Sequence, residues 1–337
     1  MAASRVDRWL YPTDNGLYCE PGGFYIDPSR AIERAVITHG HSDHARPGHG
    51  AVLATPETIE IMKVRMGPGS AGTFDAMAYG DERCVDGVSI RLLPAGHILG
   101  SAQVVIEYKG CRAVISGDYK RSADPTCLPF EVVPCDTFVT EATFALPVFR
   151  HEPAEREVTR LLQSVARSPE RAHLIGVYGL GKCQRVIKLA RLAGYDDAIF
   201  LHGALQELCA LYGRLGISLG DLRPVGAEPP SAFAGRLVMC PPSSLGDRWS
   251  QRFPDPVTAF ASGWMRIKGR VRQSGVELPL VISDHADWPE LLDTIVKTGA
   301  EDVWVTHGRE DALVYQLGKM GVRARALALA GFEEEGE

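Results

Sequence analysis

The sequence predicts an α/β fold that contains a small α/β unit with a parallel sheet. Three observations support this prediction. The first 150 residues contain short apolar and β-branched runs that end at Gly, Asp or Pro. After Pro153, strand and helix patterns alternate, which is typical of parallel sheets. From Pro279 onward, strand and helix patterns alternate again until the chain approaches its end.

The first part of the chain is predicted to consist mainly of strands, because β-branched and apolar runs bounded by turn residues favour extended structure. The predicted strands cover residues 23–27, 35–38, 87–93, 103–108, 113–116 and 137–140. One helix is predicted over 56–64, since proline is favoured in the first turn of a helix.

The second part alternates between helical and extended periodicity. Helices are predicted over 155–166, 182–192, 204–212, 289–297 and 311–320. Strands are predicted over 173–178, 198–201, 237–240, 258–261, 303–306 and 322–327. Residues 223–231 are rich in Pro, Ala and Gly and are predicted to form a loop.

Composition limits the classes of function. The chain has 337 residues, 23% of them charged, and a formal net charge of -6. This charge argues against nucleic-acid binding through a generally basic surface, although bound cations would add local positive charge. We see no secretory signal, no apolar run long enough to span a membrane, and eight cysteines without CxxC spacing. We therefore expect a cytoplasmic protein with reduced thiols and no membrane association.

The strongest chemical signal is the cluster His39, His41, Asp43 and His44, directly after the strand predicted over 35–38. Neutral imidazole and carboxylate are standard ligands for zinc and related ions. His39 and His41 can point the same way from extended backbone, and Asp43 and His44 can face a second ion. A polar loop with incidental histidines is the alternative, but three of the ten histidines fall within these six residues.

Further ligand-type residues lie at the ends of other predicted strands. His97, Asp118 and His307 each follow an apolar strand and have a glycine beside them. A single His or Asp in a turn is usually a cap or a solvated residue. The repetition of one pattern at three strand ends favours a shared site on a rigid scaffold.

Together, these motifs resemble the metallo-β-lactamase superfamily. Three later segments resemble the acidic, second and third motifs of its β-CASP nuclease branch: residues 139–143, 282–287 and 305–308. Residues 179–185 resemble the glycine-led helix start of the domain inserted in that branch. The resemblance implies an αββα sandwich formed by residues 1–151 and 263–337, with a parallel α/β β-CASP insert at 152–262.

The resemblance also implies roles for the site residues. It implies two divalent metal ions, zinc with manganese as the alternative, and seven ligands: His39, His41 and His97 for one ion, Asp43, His44 and His307 for the other, and Asp118 bridging both. Asp43 thereby also belongs to the catalytic group. Asp27 would orient a ligand histidine from behind it, although an Asp before Pro28 is also a turn signal. Glu141 and His285 match the pair that manages a proton at the leaving group.

The resemblance implies a two-metal phosphodiesterase that hydrolyses nucleic-acid strands. Residues around 178–185, 260–265 and 283–290 look like the bacterial DNA ligase-associated exonucleases, which implies DNA as substrate, a role in DNA repair and association with a DNA ligase and a helicase. Against this, a histidine at the third motif, here His307, goes with the RNA-processing members. Lys182, Arg185 and Trp264 are candidate nucleic-acid contacts, with solvated cations and a buried tryptophan as the ordinary alternatives.

Two hypotheses from other classes remain open. The first is a small-molecule metallo-hydrolase with the same metal core, which the insert after Glu141 argues against. The second is a non-catalytic binding subunit, which the seven filled ligand positions argue against.

Overall fold

The computed structural model describes residues 5–226 and 228–327, and it divides the chain into two compact units. The first unit runs to Arg150 and resumes at His285, while the second comprises His151–Asp284. The second boundary thus lies later than the predicted one at 262–263. The reason is that residues 259–261 pair in parallel with residues 278–280, which keeps the intervening chain in the inserted unit.

Within the described residues, the strands in chain order are β1 (Leu10–Thr13), β2 (Gly16–Cys19), β3 (Phe24–Ile26), β4 (Arg34–Val36), β5 (His49–Ala54), β6 (Ala71–Ala76), β7 (Glu82–Val85), β8 (Val88–Pro94), β9 (Ala102–Tyr108), β10 (Cys111–Ile115), β11 (Thr137–Ala142), β12 (His173–Gly176), β13 (Ile199–Leu201), β14 (Leu222–Pro224), β15 (Leu237–Cys240), β16 (Val257–Ala261), β17 (Leu278–Leu280), β18 (Asp302–Gly308) and β19 (Arg323–Ala326). The α-helices are α1 (Pro56–Met66), α2 (Ala154–Arg167), α3 (Lys182–Leu192), α4 (Gly203–Arg214), α5 (Lys268–Ser274), α6 (Trp288–Thr298) and α7 (Glu310–Lys319). Short 3₁₀ helices cover Val6–Arg8, Pro230–Phe233, Pro242–Leu245, Ser250–Arg252 and Gly263–Arg266.

Two mixed sheets form the first unit. The first sheet has the order β1-β2-β3-β4-β5-β6, with antiparallel pairing up to β3 and parallel pairing beyond it. The second has the order β19-β18-β11-β10-β9-β8-β7 and changes from parallel to antiparallel pairing at β10. The predicted α/β class is confirmed.

Apolar clusters join these sheets and helices into four layers. One cluster lies between the two sheets and includes Leu17 and Ile26 from the first sheet with Val104 and Trp304 from the second. The outer face of the first sheet packs against α1. The outer face of the second sheet packs against α6 and α7. Burial on both faces explains why the central strands are largely apolar.

The inserted unit is built on one fully parallel sheet with the order β14-β13-β15-β12-β16-β17. Helices α3, α4 and α5 occur between its strands in the sequence, as parallel connections require, and α2 precedes the first of these strands. A cluster that includes Leu174, Phe200, Phe233 and Val238 forms part of its core. No helix in the described parts of the chain combines the length and apolar character needed to cross a bilayer.

Helix α6 shows how the local sequence sets an element boundary near the site. The carboxylate of Asp287 accepts a hydrogen bond from the backbone N–H of Glu290 at 3.1 Å. The carboxylate of Glu290 accepts one from the backbone N–H of Asp287 at 3.2 Å. Such a reciprocal cap stabilises a helix start by about 1 kcal/mol. The helix ends at Gly299, which adopts the left-handed conformation with φ 64°. The cap therefore fixes where α6 begins, three residues after His285.

Candidate active site

The ligand-type residues converge because each lies at or just after the end of a strand in the first unit. His39 to His44 follow β4, His97 follows β8, and Asp118 follows β10. Glu141 and His307 lie near the ends of the neighbouring parallel strands β11 and β18. A rigid sandwich thus brings segments that are far apart in the sequence to one place.

His39, His41, His97 and Asp118 form the first group, in which one ligand atom from each residue lies within 4.8 Å of the others. His41 Nδ1 lies 3.1 Å from His39 Nε2 and 3.0 Å from His97 Nε2. Ligands bound tetrahedrally to zinc at about 2.0–2.1 Å are separated from one another by about 3.3 Å. The observed separations therefore fit a single divalent cation.

Asp43, His44 and His307 form the second group, also with ligand atoms within 4.8 Å of one another. His44 Nε2 lies 3.5 Å from Asp43 Oδ2. Asp118 Oδ2 lies 3.3 Å from His44 Nε2 and 3.4 Å from His39 Nε2. One carboxylate oxygen is thus adjacent to both groups, which is the position a bridging ligand occupies.

The electrostatics of the two groups suit cations. Burial lowers the pKa of His39 well below its usual value, and the neighbouring His44 lowers it further, so its imidazole is neutral and able to bind a metal. Burial also lowers the pKa of His307 to about 4. Although burial opposes ionisation, His44 holds the pKa of Asp43 low and that of Asp118 lower still, so both remain carboxylates.

His44 behaves differently from the other histidines. Burial disfavours its imidazolium form, but the carboxylates of Asp118, Asp43 and Asp27 raise its pKa well above the usual value. Three carboxylates around one buried ring favour positive charge at this point. A proton can supply that charge, and so can a divalent cation.

Asp27 holds His44 from the side opposite the ligand groups. Its carboxylate lies 2.7 Å from His44 Nδ1 and accepts bonds from the Thr38 N–H at 2.8 Å and the Thr38 hydroxyl at 2.6 Å. A carboxylate only accepts, so Nδ1 of His44 donates and Nε2 faces Asp43 and Asp118. Thr38 has no predicted role, and its only sequence signal is its position directly before His39.

Glu141 and His285 form a second buried pair beside the first group. Glu141 Oε2 lies 3.0 Å from His285 Nδ1, while Glu141 Oε1 accepts the Tyr119 N–H at 2.7 Å. The carbonyl of Tyr119 in turn accepts the Ala286 N–H at 2.6 Å. Burial raises the pKa of Glu141, and His285 opposes this increase. The backbone of Tyr119 therefore positions both residues, and because any residue type can make backbone contacts, the sequence gives no signal for it.

Two glycines allow the close approach of the loops that carry Asp118 and His307. Gly117 has φ 56°, and a Cβ there would lie 2.8 Å from the Thr38 side chain. Gly308 has φ 91°, and a Cβ there would lie 2.4 Å from the Ala142 carbonyl oxygen. His307 itself adopts φ 58°, a conformation that non-glycine residues adopt rarely and that often occurs at functional sites.

The three predicted nucleic-acid contacts in the inserted unit have different environments. Lys182 is 1% exposed and forms a 2.8 Å ion pair with Asp284, and Arg185 donates to the Ser283 carbonyl at 2.6 Å. The prediction that these two side chains reach phosphates is not supported, because both are buried against the segment that follows β17. Trp264 is half-buried, and the Arg270 guanidinium lies 5.4 Å from its ring centre.

Comparison with known proteins finds relatives whose names refer to the processing of nucleic acids. A protein named probable DNA ligase from Opitutus terrae is 26% identical over 328 residues, which are 95% of this chain and 31% of that protein. Endoribonuclease YSH1 of Saccharomyces cerevisiae is 27% identical, covering 60% of this chain and 32% of the relative. Cleavage and polyadenylation specificity factor 73 of Drosophila melanogaster is 32% identical over 34% of this chain and 17% of that protein.

The chain thus spans about a third of the length of the first two relatives. No protein-family model matches the chain. Among solved structures, a protein of unknown function from Enterococcus faecalis V583 superposes with a TM-score of 0.60 at 12% identity, covering 89% of this chain and 80% of the other, which supports the fold alone. The motifs, their convergence in the structure and the named relatives together support the resemblance to the β-CASP branch of the metallo-β-lactamase superfamily.

Proposed function

We propose that the chain is a metal-dependent nuclease that hydrolyses phosphodiester bonds of DNA strands. The observation that carries the proposal is the convergence of imidazole nitrogens and carboxylate oxygens from distant chain segments into two adjacent groups. Packing this many titratable groups together is costly in a core that serves only stability. A pair of cations removes that cost and supplies a function.

The proposal has two cation sites that share one carboxylate. His39, His41 and His97 would hold one cation, and Asp43, His44 and His307 the other, with Asp118 between them. Zinc or manganese at these sites supplies Lewis acidity and a nucleophile at neutral pH. Asp27 keeps His44 in the orientation that presents Nε2 to the site.

His285 is the proposed proton donor for the leaving oxygen of the substrate. Its Nδ1 lies 3.0 Å from the buried Glu141 carboxylate. That contact fixes Nδ1 as a donor and stabilises the charged ring, so that Nε2 can release a proton. The position of the His285 ring supports this role, because its centre is 4.6 Å from that of the His97 ring.

DNA is proposed as the substrate because the similarity to the relative named for DNA ligation extends over 95% of this chain. A ligase-associated exonuclease with a role in DNA repair, acting with a ligase and a helicase, is consistent with that similarity. RNA is the second candidate, because the relative named as an endoribonuclease aligns over 60% of the chain. His307 at the third motif also favours RNA.

The decisive experiment offers the protein end-labelled single-stranded DNA and RNA of the same sequence, with zinc and with manganese in separate reactions. We expect shortening of the DNA that needs added metal and that is abolished in the Asp118→Asn variant. The Asp124→Asn variant is the matched control, since that buried carboxylate accepts hydrogen bonds from Thr126 in its own turn and belongs to neither ligand group. Shortening of RNA alone would select the second candidate, and full activity of Asp118→Asn would refute the site.

A further inference from the structure

The inserted unit carries an exposed run of cations that the metal site does not use. Residues 256–275 contain no Asp or Glu in a chain whose net charge is -6. Within this stretch, Arg266, Lys268, Arg270 and Arg272 are all exposed. A local excess of four positive charges on an otherwise acidic chain attracts polyanions.

These cations differ from other arginines of the same unit. Arg171 pairs with Glu277 at 2.8 Å, and Arg223 pairs with Asp221 at 2.7 Å. Across residues 5–226 and 228–327, by contrast, none of the four cations at 266–272 forms an ion pair with a carboxylate. Their charge is therefore available to a ligand.

An aromatic ring lies at the start of the same run. Trp264 is half-buried, and its turn is fixed by a hydrogen bond from its N–H to the Ser262 hydroxyl at 3.2 Å. The Arg270 guanidinium lies 5.4 Å from the centre of the indole ring. Stacking surfaces combined with cations are the features by which proteins hold single nucleic-acid strands.

The position of the run in the fold supports a binding role. Trp264 and the four cations lie on the segment that follows the carboxyl end of β16, in a fully parallel sheet. Ligands of open parallel α/β sheets bind beyond the carboxyl ends of the strands. Two of the cations, Lys268 and Arg272, are four residues apart on α5 and so share one side of that helix.

We propose that Trp264, Arg266, Lys268, Arg270 and Arg272, here called the basic turn, form a docking surface for a single nucleic-acid strand. The cations contact successive phosphates, and a base stacks on the Trp264 and Arg270 pair. The inference rests on the proposed function, because the docked strand is the polymer that the metal site would hydrolyse.

The test measures strand binding by the metal-loaded protein. A fluorescein-labelled, phosphorothioate-linked single strand resists hydrolysis, and fluorescence anisotropy follows its binding as salt is varied. In the variant with Arg266, Lys268, Arg270 and Arg272 all changed to Gln, we expect affinity to fall at least tenfold. The slope of log affinity against log salt should decrease by about 2.8, since four phosphate contacts on a single strand contribute about 0.7 each.

The matched control changes Arg156, Arg167, Arg214 and Arg223 to Gln, which removes the same charge from exposed positions elsewhere in this unit. This control should keep the wild-type salt slope. Trp264→Ala should weaken binding by roughly tenfold, as loss of one stacked base predicts, while Trp264→Phe retains most of it. A quadruple basic-turn variant that binds like the control would overturn the proposal, as would competition by polyglutamate as strong as that by the unlabelled strand.

Hydrolysis of a nucleoside p-nitrophenyl phosphodiester separates this proposal from the proposed function. This substrate has one phosphate, so the basic-turn variant should cleave it like the wild type. If the wild type cleaves no phosphodiester while the basic-turn variant still loses strand binding, the nuclease proposal fails and the docking surface stands. If the wild type cleaves strands but the basic-turn variant binds them normally, the nuclease proposal stands and the docking surface fails.

Discussion

At the scale of single residues, the pair of His285 and Glu141 can be tested through the chemistry of the leaving group. An alkoxide leaving from a sugar needs a proton, whereas p-nitrophenolate leaves without one. We predict that His285→Ala lowers kcat on a DNA strand by about 10²–10⁴. The same variant should lose far less on a nucleoside p-nitrophenyl phosphodiester, measured by absorbance.

Glu141→Gln serves as the companion to that variant, because it keeps the shape of the side chain but removes the charge beside His285. It should show the same contrast between the two substrates, with a smaller loss on the strand. Equal losses on both substrates for His285→Ala would indicate a damaged site and would contradict the role as proton donor.

Asp27 gives a second prediction at this scale. Its carboxylate accepts hydrogen bonds from Thr38 and fixes the ring of His44. Asp27→Asn should weaken metal binding by about 10–100-fold, as is usual when the partner of a ligand histidine is changed. Competition with a chromogenic chelator measures this change. Asp14→Asn, in an exposed turn, should leave the affinity unchanged.

At the scale of elements, helix α3 anchors the segment that follows β17. Lys182 Nζ donates to the Ile282 carbonyl at 3.2 Å and pairs with Asp284, and both ionic side chains are buried. We predict that Lys182→Met lowers the free energy of unfolding by about 3–5 kcal/mol, because it removes the ammonium that pairs with the buried Asp284 carboxylate. Urea denaturation followed by circular dichroism measures the loss.

The control for this prediction is Lys188→Met, on the same helix, whose ammonium contacts a carbonyl at the surface. Its effect should be small. The double variant Lys182→Met with Asp284→Leu should be more stable than Lys182→Met alone, since the buried carboxylate is removed together with its ammonium partner. A double variant less stable than the single one would show that packing, not charge, accounts for the loss.

The elements also show which parts of the fold can be predicted from the sequence. Helix α3 begins and ends as predicted, and β8 and β9 agree within one or two residues, because each has a clear hydrophobic period. Strand β14 overlaps the start of the segment predicted as a loop, since a three-residue edge strand containing Pro224 carries almost no periodic signal. Parallel pairing with β13, a contact distant in the sequence, makes this segment a strand.

In the candidate site, too, residues marked by a local sequence pattern could be predicted, whereas contacts between distant segments could not. The spacing of His39, His41, Asp43 and His44 and the strand-end positions of His97, Asp118 and His307 predict residues that the structure brings together. The roles of Lys182 and Arg185 could not be predicted, because the burial of a basic side chain depends on its partner. Here that partner, the 282–284 segment, lies about a hundred residues away in the sequence. The Tyr119 contacts are made by the backbone, so no residue type marks them.

At the scale of the whole molecule, metal binding should contribute directly to stability. The proposed ligands come from both chain segments of the first unit, so a bound cation ties these segments together. We predict that chelation lowers Tm and that added zinc or manganese restores it. A metal concentration a hundred times Kd corresponds to about 2.7 kcal/mol. Differential scanning calorimetry measures the shift.

The Asp118→Asn variant provides the comparison for this prediction. Its Tm should respond weakly to chelation, because the oxygen adjacent to both ligand groups has become part of an amide. A wild-type Tm that is insensitive to both chelator and metal would mean that the two groups do not hold cations. The fold would then remain, and the proposed chemistry would have to be abandoned.

The wide separation of the proposed ligands along the chain has a consequence for synthesis. His39 is synthesised early, but His285 and His307 are synthesised only after the entire inserted unit. A nascent polypeptide that stops before His307 lacks one member of the second group and cannot hold both ions. A truncated translation product would therefore lack the complete ligand set that the proposed nuclease needs, so it would not cleave nucleic-acid strands.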